Sequence, residues 1–229
     1  MSPAWIVSIL LLVLALAGFL YWQLVVAEGA YLGRRIVALL YDWFAPRYDQ
    51  VKEYDPDYEA FALALPVLEH CGVDQPAHVL DVASGTGRLP AALFAQPRFA
   101  GQFTALDASA RMLAVAKTKL APHAMRIRFM HAPAVPLPFD SADFEVVSCL
   151  EALEFFPDPD AAIREMLRVL KPGGLLMITN RIGPDAWKLP GLARPSLAVS
   201  DDLSRHGCLH VRIEAWLTDY DLIFAIKPA

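Results

Sequence analysis

Cysteine is scarce in this chain, and basic residues do not outnumber acidic ones. The three cysteines, Cys71, Cys149 and Cys208, are widely separated and odd in number, which fits reduced thiols better than a disulfide framework. The 20 Lys and Arg residues stand against 25 Asp and Glu residues, so the formal net charge is −5. Because nucleic-acid-binding domains usually carry a basic surface, this balance argues against a nucleic-acid partner.

Clusters of cysteine and histidine with zinc-ligand spacing are also lacking. His206 and His210 have the spacing of two ligands on one helical turn, but their segment is predicted to turn into a strand. We therefore expect no metal site.

Charged side chains are missing from residues 5–27, and this run supplies much of the chain's 56% hydrophobic content. A helix needs about 20 apolar residues to cross the ~30 Å hydrocarbon core of a bilayer. Trp5, Tyr21 and Trp22 lie near the ends of the run, where aromatic side chains favour the membrane interface. The sequence thus predicts a single transmembrane helix at 5–27. A cleaved signal peptide is the alternative, although the positive n-region is missing and the run is long for one.

The segment after this run, residues 28–60, predicts how the chain is oriented in the membrane and contains a predicted amphipathic helix. Its basic residues close to the run are Arg34, Arg35, Arg47 and Lys52. By the positive-inside rule they place the following domain, residues 61–229, in the cytoplasm. Apolar residues at helical spacing predict a helix over 33–48, and another helix is expected over 61–71 after a loop at 54–58. The apolar face of the first helix either lies in the membrane interface or packs on the domain.

From residue 77 onward, short apolar runs alternate with helical stretches. The predicted strands are 79–82, 102–106, 126–130, 144–149 and 175–179, and the predicted helices are 89–94, 110–120 and 160–170. This alternation predicts a parallel sheet covered by helices on both faces. Two last strands, 209–217 and 221–227, are too close for a helical crossover and predict an antiparallel hairpin. The expected fold class is α/β: a Rossmann-like doubly wound sheet, mostly parallel with a C-terminal antiparallel hairpin, preceded by one transmembrane helix.

A glycine-containing turn, residues 81–87, follows the first predicted strand. In an open α/β sheet, ligands bind beyond the carboxyl ends of the strands, and glycine lets the backbone approach them closely. Asp107 ends the second predicted strand, where a carboxylate can accept hydrogen bonds from both ribose hydroxyls of an adenosine. Pro90 stands where a dinucleotide-binding turn has its third glycine, and Asp81 would repel a pyrophosphate. These features favour S-adenosylmethionine over NAD, with a nicotinamide oxidoreductase as the alternative.

Several segments resemble, in order and spacing, the motifs of class I S-adenosylmethionine-dependent methyltransferases. They are 79–87 (Val-Leu-Asp-Val-Ala-Ser-Gly-Thr-Gly), 106–109 followed by Met112, Leu113 and Ala116, 136–140 with 144–147, and 168–174 (Arg-Val-Leu-Lys-Pro-Gly-Gly). Residues 45–49 (Ala-Pro-Arg-Tyr-Asp) are similar to the N-terminal signature of the subgroup that contains quinone-biosynthesis and small-molecule methyltransferases. The resemblance covers about residues 45–228.

The resemblance implies a role for each matched residue. The glycine turn would lie beside the methionine part of the cofactor, and Asp107 would hold the ribose. Ala108 and Met112 would line the adenine pocket. The expected cofactor-binding residues are Asp81, Ala83, Ser84, Gly85, Thr86, Gly87, Asp107, Ala108, Met112, Ala134, Cys149 and Leu150. Many relatives have Asp-Ala before the Leu-Pro-Phe motif, with the acid bonding the adenine amino group. This chain has Pro133-Ala134 there, so that acid is missing.

Methyl transfer needs alignment above all, and a general base only where the acceptor must lose a proton. The candidates for a catalytic base, both weak, are Glu154 and His131. Glu151, Tyr48 and His206 are weaker candidates. Glu154 is more simply interpreted as a surface carboxylate. His131 is more simply interpreted as an exposed residue in a loop. With a membrane tether, we expect a small hydrophobic or lipid acceptor, enclosed by the N-terminal helices and a lid at 181–205. The alternative is a membrane-tethered, non-catalytic S-adenosylmethionine-binding or scaffold protein.

Overall fold

A mixed sheet runs through the domain that follows the apolar N-terminal run. The computed structural model describes residues 3–229. Its strands are β1 His78–Val82, β2 Gln102–Asp107, β3 Ile127–His131, β4 Phe144–Cys149, β5 Leu170–Arg181, β6 Leu209–Leu217 and β7 Tyr220–Ile226. They form a 7-stranded sheet in the order β3-β2-β1-β4-β5-β7-β6. Strands β1 to β5 pair in parallel, and β7 pairs antiparallel with both β5 and β6. The predicted Rossmann-like sheet, mostly parallel with a C-terminal antiparallel hairpin, is confirmed.

The topology explains where a ligand can bind. The chain moves outward from β1 through β2 to β3 and then returns to place β4 on the other side of β1. The crossover helices on the two sides of this reversal leave a crevice beyond the carboxyl ends of β1, β2 and β4. The turns after these strands therefore meet at one edge of the sheet.

Ten α-helices occur in the described part of the chain. They are α1 Pro3–Tyr21, α2 Arg34–Phe44, α3 Tyr48–Lys52, α4 Pro56–Glu59, α5 Leu65–Cys71, α6 Arg88–Phe94, α7 Ala110–Lys119, α8 Pro159–Val169, α9 Gly183–Trp187 and α10 Ser196–Arg205. Side-chain caps fix several starts. The Ser109 hydroxyl accepts a hydrogen bond from the Met112 N–H at 3.1 Å, and the Asp158 carboxylate accepts one from the Ala161 N–H at 2.8 Å.

Helices cover both faces of the sheet because adjacent residues of each buried strand point to opposite sides. Leu80 of β1 belongs to one buried cluster with Ile163 and Met166 of α8. Val79 belongs to the other cluster, with Leu63 and Leu93 from the opposite face. These two cores hold the crossover helices and the sheet edge in fixed positions.

One segment near the N-terminus, Pro3–Val26, is helical, and an 18-residue stretch of it has a mean hydropathy of 2.5 and no buried residue. By length and composition it is apolar enough to cross a membrane, a test that a signal sequence also passes. It ends in a π-helical turn, Trp22–Val26. Its bounds agree closely with the run predicted at 5–27, and its insertion in a membrane stays a prediction.

Two boundaries differ from those expected from the sequence. The loop predicted at 54–58 is wrong, because the Asp55 carboxylate caps a helix that begins at Pro56 and continues through a π-helical turn, Ala60–Ala64, to Cys71. This helix crosses position 60, where we expected a domain boundary. Strand β5 begins earlier than predicted, because Leu170 pairs with Phe144 before the Lys-Pro-Gly-Gly turn, which the ladder accommodates as a register shift.

Candidate active site

A cavity of about 310 Å³ opens beyond the carboxyl ends of β1, β2 and β4. One part of its wall comes from the turns after these strands: Ala83, Gly85, Asp107, Ala108, Ser109, Met112, Pro133, Ala134, Leu150 and Glu151. Another part comes from the segment between the apolar helix and the domain: Arg34, Val37, Ala38, Tyr41 and Tyr48. We call the turns after β1, β2 and β4, where the cofactor is predicted to bind, the cofactor edge. The cofactor edge and the N-terminal helices therefore enclose the same space.

The glycine turn after β1 leaves its backbone open to this cavity. Gly85 has a φ of +56°, and a Cβ added there would meet nothing within 4 Å. A ligand can therefore lie directly against the Gly85 backbone. Gly87 has a different role, because a Cβ there would come within 2.8 Å of the Leu120 side chain. Its lack of a side chain allows the turn to pack against the end of α7.

Asp107 at the end of β2 organises the cavity wall. Its Oδ2 accepts a hydrogen bond from the Gly85 N–H at 2.8 Å, and its Oδ1 accepts one from the Ser109 N–H at 2.7 Å. Burial raises the pKa of this carboxyl, while the Ser109 and Gly85 N–H groups act in the opposite direction. A carboxylate can accept several hydrogen bonds, so Asp107 keeps capacity for two vicinal hydroxyls while it holds the glycine turn in place.

Asp81 lies deeper, at 2% exposure, and accepts a hydrogen bond from the Ser148 hydroxyl at 2.7 Å. Burial raises the pKa of Asp81 to about 7, and the Ser148 hydrogen bond opposes this increase. Asp81 also lines a second, smaller cavity of about 30 Å³, together with Ser84, Thr86 and Tyr48. A buried carboxylate at this position can accept a cationic group, because a nearby positive charge favours its ionised form.

The structure brings most of the predicted cofactor-binding residues together. Those lining the larger cavity are Ala83, Gly85, Asp107, Ala108, Met112, Ala134 and Leu150. Those lining the smaller one include Asp81, Ser84 and Thr86. The remaining two, Gly87 and Cys149, lie behind the walls. Gly87 packs against α7, and Cys149 is 0% exposed in the core beneath the sheet edge.

Each of the two candidate catalytic bases contacts other protein groups through one of its polar atoms. Glu154 is 3% exposed, so its expected surface position was wrong. It accepts a hydrogen bond from the Tyr220 hydroxyl at 2.6 Å and pairs with Arg181 Nε at 2.8 Å. His131 is exposed as expected, and its Nε2 lies 3.0 Å from the Ala108 carbonyl oxygen. Glu154 therefore stabilises the packing of β5 and β7, and His131 supports the wall at Ala108.

Several residues of the N-terminal segment that sequence reasoning left without a role hold the cofactor edge. The Asp42 carboxylate accepts hydrogen bonds from the Ser109 hydroxyl at 2.6 Å and the Arg111 N–H at 3.0 Å, at the start of α7. Asp49 accepts a hydrogen bond from the Thr86 hydroxyl at 2.5 Å. Asp49 lies in the Ala-Pro-Arg-Tyr-Asp segment. The similarity of this segment to a signature of quinone-biosynthesis and small-molecule methyltransferases is the one signal that could have identified Asp49.

A charged network closes the same region on the other side. Glu151 pairs with Lys52 of α3 and with Arg88 of α6, the latter at 2.5 Å. Arg88 also pairs with Glu59 and lies between the rings of Tyr54 and Trp216, with its guanidinium carbon 4.3 and 4.2 Å from their centroids. Both oxygens of Glu151 are therefore engaged by cations, which removes it as a free base.

Tyrosines line the cavity on the N-terminal side. The Tyr41 and Tyr48 ring centroids are 6.2 Å apart, and the Tyr41 hydroxyl donates a hydrogen bond to Glu28 at 2.7 Å. Tyr48 lines both cavities. Burial raises the pKa of both phenols well above the usual value. At neutral pH they are hydrogen-bonding groups and apolar walls, so Tyr48 cannot serve as the base considered from the sequence.

The lid predicted at 181–205 needs correction. Its helix α10 packs against β6 and β7, and Asn180 donates hydrogen bonds to the Ser196 hydroxyl at 2.9 Å and the Arg194 carbonyl at 2.8 Å. In the described residues, the wall across from the cofactor edge comes instead from α2 and from a short turn that contributes Phe155 and Phe156. These local hydrogen bonds hold the segment against the hairpin, away from the cavity mouth.

Residues 80–178 match the family described as "Methyltransferase domain". This segment is therefore similar to methyltransferase domains. The chain is 37% identical over 113 residues to a ubiquinone/menaquinone biosynthesis C-methyltransferase of Idiomarina loihiensis, a match covering 48% of this chain and 45% of that protein. It spans about half the length of the curated relatives that it matches, from 45% to 58% in the first three.

Solved structures share the fold at low identity. A methyltransferase of Aquifex aeolicus described as S-adenosylmethionine-dependent superposes with a TM-score of 0.58 at 19% identity, over 76% of this chain and 98% of that one. The [4+2]-cyclase SpnF superposes with a TM-score of 0.66 at 23% identity, over 86% of this chain and 97% of that one. S-adenosylmethionine is the cofactor of the matched family. The open backbone at Gly85 and the carboxylates of Asp107 and Asp81 fit its amino-acid and ribose groups.

Proposed function

We propose that this protein transfers a methyl group from S-adenosylmethionine to a small hydrophobic acceptor that binds against α2 and α3. The observation that carries the proposal is that one cavity has two kinds of wall. Asp107, Gly85 and Met112 offer the polar and backbone groups that an adenosine needs, and Val37 and Phe155 offer apolar surface across from them. Cavities of a few hundred Å³ with a few placed polar groups are typical of small-molecule sites.

When bound, S-adenosylmethionine supplies an activated methyl group on a positively charged sulfur. The residues of the chain then have positioning roles. Asp107 would hold the ribose hydroxyls, the Gly85 backbone would support the methionine portion, and the Asp81 carboxylate would balance a nearby positive charge. Tyr48, which lines both cavities, orients the acceptor with a neutral hydroxyl and excludes water with its ring. Alignment of this kind can supply much of the acceleration of a displacement reaction.

A quinone-like ring is the acceptor class that we favour. The relative from Idiomarina loihiensis acts in ubiquinone and menaquinone biosynthesis by its description, and that from Clavibacter sepedonicus is described as a demethylmenaquinone methyltransferase. A planar apolar ring fits a wall built from Tyr41, Tyr48 and Phe155. The acceptor is the reduced, quinol form of such a ring, whose ionised hydroxyl makes the neighbouring ring carbon nucleophilic. That carbon bonds to the methyl group as the methyl–sulfur bond breaks, S-adenosylhomocysteine leaves, and the ring proton is lost to water afterwards. No base on the protein is needed at the moment of transfer, which is consistent with Glu154 and Glu151 being engaged elsewhere.

We further propose that Pro3–Val26 anchors the protein in a membrane as a single span, with the methyltransferase domain in the cytoplasm. The length and hydropathy of the helix support the span. Arg34, Arg35, Arg47 and Lys52 on the domain side support the orientation. An anchored enzyme meets a hydrophobic acceptor where that acceptor is concentrated.

A transfer assay tests the proposal. Full-length protein in detergent is incubated with methyl-labelled S-adenosylmethionine and a chemically reduced lipid extract that contains demethylated quinols, and label in the organic phase is measured. Wild type is expected to transfer label, and Asp107→Ala is expected to lose transfer. Asp201→Ala, which removes an exposed carboxylate on α10, is the matched control and should match wild type. Equal organic-phase label with and without protein, across quinone, lipid and thiol fractions, would reject a methyltransferase.

A second candidate is a protein with this fold and a different or absent chemistry. The superposition with the [4+2]-cyclase SpnF supports this candidate. By its description, that protein has the same fold and catalyses a different reaction. The missing acid at Pro133 also supports it. A protein that binds S-adenosylmethionine in a titration but releases no S-adenosylhomocysteine with any acceptor fraction would indicate this candidate.

A further inference from the structure

The outer face of α2 carries large apolar side chains that lie open to the surroundings. Leu39 is 62% exposed and Trp43 is 71% exposed, and one helical turn separates them, so they share a face. Leu32, in the turn before α2, is 45% exposed. We call Leu32, Leu39 and Trp43 the outer patch. Single exposed apolar residues are ordinary, whereas an aligned group beside an apolar helix indicates a contact surface.

The other faces of α2 are already in use. Ile36 and Leu40 pack on Gly29, where an added Cβ would come within 2.9 Å of Leu40 and 3.2 Å of Ile36. Tyr41 lines the cavity, and Asp42 bonds the start of α7. At 100° per residue, the α2 side chains that face the cavity and those of Leu39 and Trp43 point to opposite sides of the helix. Helix α2 is thus a wall with the cavity on one side and the outer patch on the other.

The apolar helix is fastened to the domain beside this wall. The Gly29 N–H donates a hydrogen bond to the Gln23 carbonyl at 2.8 Å, in the last turn of the apolar helix. The Trp22 and Tyr31 rings stack at 5.2 Å, and the Tyr31 hydroxyl donates a hydrogen bond to the Pro190 carbonyl at 2.7 Å. The same Gly29 therefore contacts α2 and the end of the apolar helix. If that helix spans a membrane, α2 lies at the level of the membrane surface.

We propose that the outer patch docks onto the lipid bilayer, so that α2 lies in the membrane interface and separates the lipid surface from the cavity. Tryptophan favours this interface, and an interfacial helix buries its apolar face about 5–10 Å into the boundary region. Arg35 and Arg47, both exposed, can pair with anionic headgroups there. The docking rests on the anchoring proposed above. Its consequence for the proposed function is that an apolar acceptor reaches the cavity around α2 without crossing bulk water.

Quenching of tryptophan fluorescence by brominated phospholipids tests the docking. Full-length protein is reconstituted in nanodiscs that contain brominated lipid, and the emission of Trp43 is obtained as the difference between wild type and Trp43→Phe. We expect this emission to be strongly quenched. The control is Met125→Trp, because Met125 is 95% exposed and precedes the amino end of β3, whereas the cavity lies beyond the carboxyl ends of the strands. The emission that it adds should be unaffected by bromination.

Three outcomes would overturn the docking. Trp43 emission that is unquenched while Trp5 and Trp22 are quenched means that the patch faces water. Disulfide formation between copies of Leu39→Cys, with unquenched Trp43, means that a second copy covers the patch. Absence of quenching at every tryptophan means that the protein is not anchored. Titration of the same nanodiscs with S-adenosylmethionine measures the cofactor site separately, so loss of docking and loss of the proposed function are distinguishable.

Discussion

The Thr86 hydroxyl donates a hydrogen bond to the Asp49 carboxylate at 2.5 Å, which joins the glycine turn to the N-terminal segment. Lys119 of α7 reaches the same carboxylate at 2.8 Å. One side chain thus connects the first turn of the cofactor edge, the helix after β2 and the chain that leads to the apolar helix. Loss of this side chain would therefore release the N-terminal segment from the glycine turn and from α7.

Replacing Asp49 with alanine is expected to loosen the N-terminal segment and weaken cofactor binding. The two contacts are partly exposed, so their combined loss corresponds to about 1 kcal/mol, or roughly a 5-fold rise in the Kd for S-adenosylmethionine. Amide hydrogen exchange of residues 45–55 should become faster. Gln50→Ala, an exposed neighbour on α3, is the control and should match wild type. Unchanged exchange together with an unchanged Kd would show that Asp49 does not hold the segment.

The second prediction concerns Glu154, whose role is structural in this account. Glu154→Gln leaves the buried Arg181 guanidinium without its close partner, and breaking a buried pair costs about 3–5 kcal/mol. Urea unfolding should therefore show a lower free energy of unfolding. At a temperature where the variant is folded, its Kd for S-adenosylmethionine should equal that of wild type. A stable variant that binds cofactor normally but transfers no methyl group would instead make Glu154 catalytic.

The contrast between Asp107 and Glu154 shows what the sequence could predict. Asp107 ends a strand whose place in the sheet follows from local hydrophobic patterning, so its position at the cofactor edge was predictable. Glu154 faces Tyr220 and Arg181, which come from the C-terminal hairpin and β5. No local pattern records a contact across 66 residues. The same reason applies to Asp42 and Asp49, whose partners lie on α7 and the glycine turn.

The amphipathic helix predicted at 33–48 is a second case in which the sequence pattern did not determine the contacts. Periodicity over 33–48 predicted one apolar face with two possible uses. In the structure, Ile36 and Leu40 pack inward while Leu39 and Trp43 point outward. The apolar stripe is wide enough to serve both surfaces, and sequence spacing alone does not divide it between them. The lid at 181–205 was misplaced because hydrogen bonds to Asn180 determine its position.

The third prediction is a pH dependence that comes from Asp81. Its pKa is raised to about 7 in the folded protein by burial, so between about pH 4 and 7 the folded state binds more protons than the unfolded state. The free energy of unfolding should therefore fall as pH rises through this window, by up to about 1.4 kcal/mol per pH unit. Asp81→Asn has no proton to lose, so its fall between pH 5 and pH 7 should be smaller. Equal differences in wild type and Asp81→Asn, measured by urea unfolding, would contradict a raised pKa.

The fourth prediction concerns Pro133, which lines the cavity at the position where the resemblance to methyltransferases implies an acid. Pro133→Asp restores a group that can accept a hydrogen bond from the adenine amino group, and such a bond contributes about 1 kcal/mol. The Kd for S-adenosylmethionine should fall roughly 5-fold. Pro133→Ala separates this gain from the removal of the proline ring and should not tighten binding. A Kd that is unchanged or weaker in Pro133→Asp would mean that adenine does not lie at this wall.

Calorimetric titration of the full-length protein with S-adenosylmethionine tests the central claim, that the edge of β1 and β2 is a cofactor site organised by Asp107. Wild type in detergent should bind the cofactor, and Asp107→Ala should bind at least about 10-fold more weakly, because hydrogen bonds to a charged group contribute roughly 1.5–3 kcal/mol each. Asp201→Ala should bind like wild type. Absence of binding by folded wild type, or equal affinity of wild type and Asp107→Ala, would contradict the account.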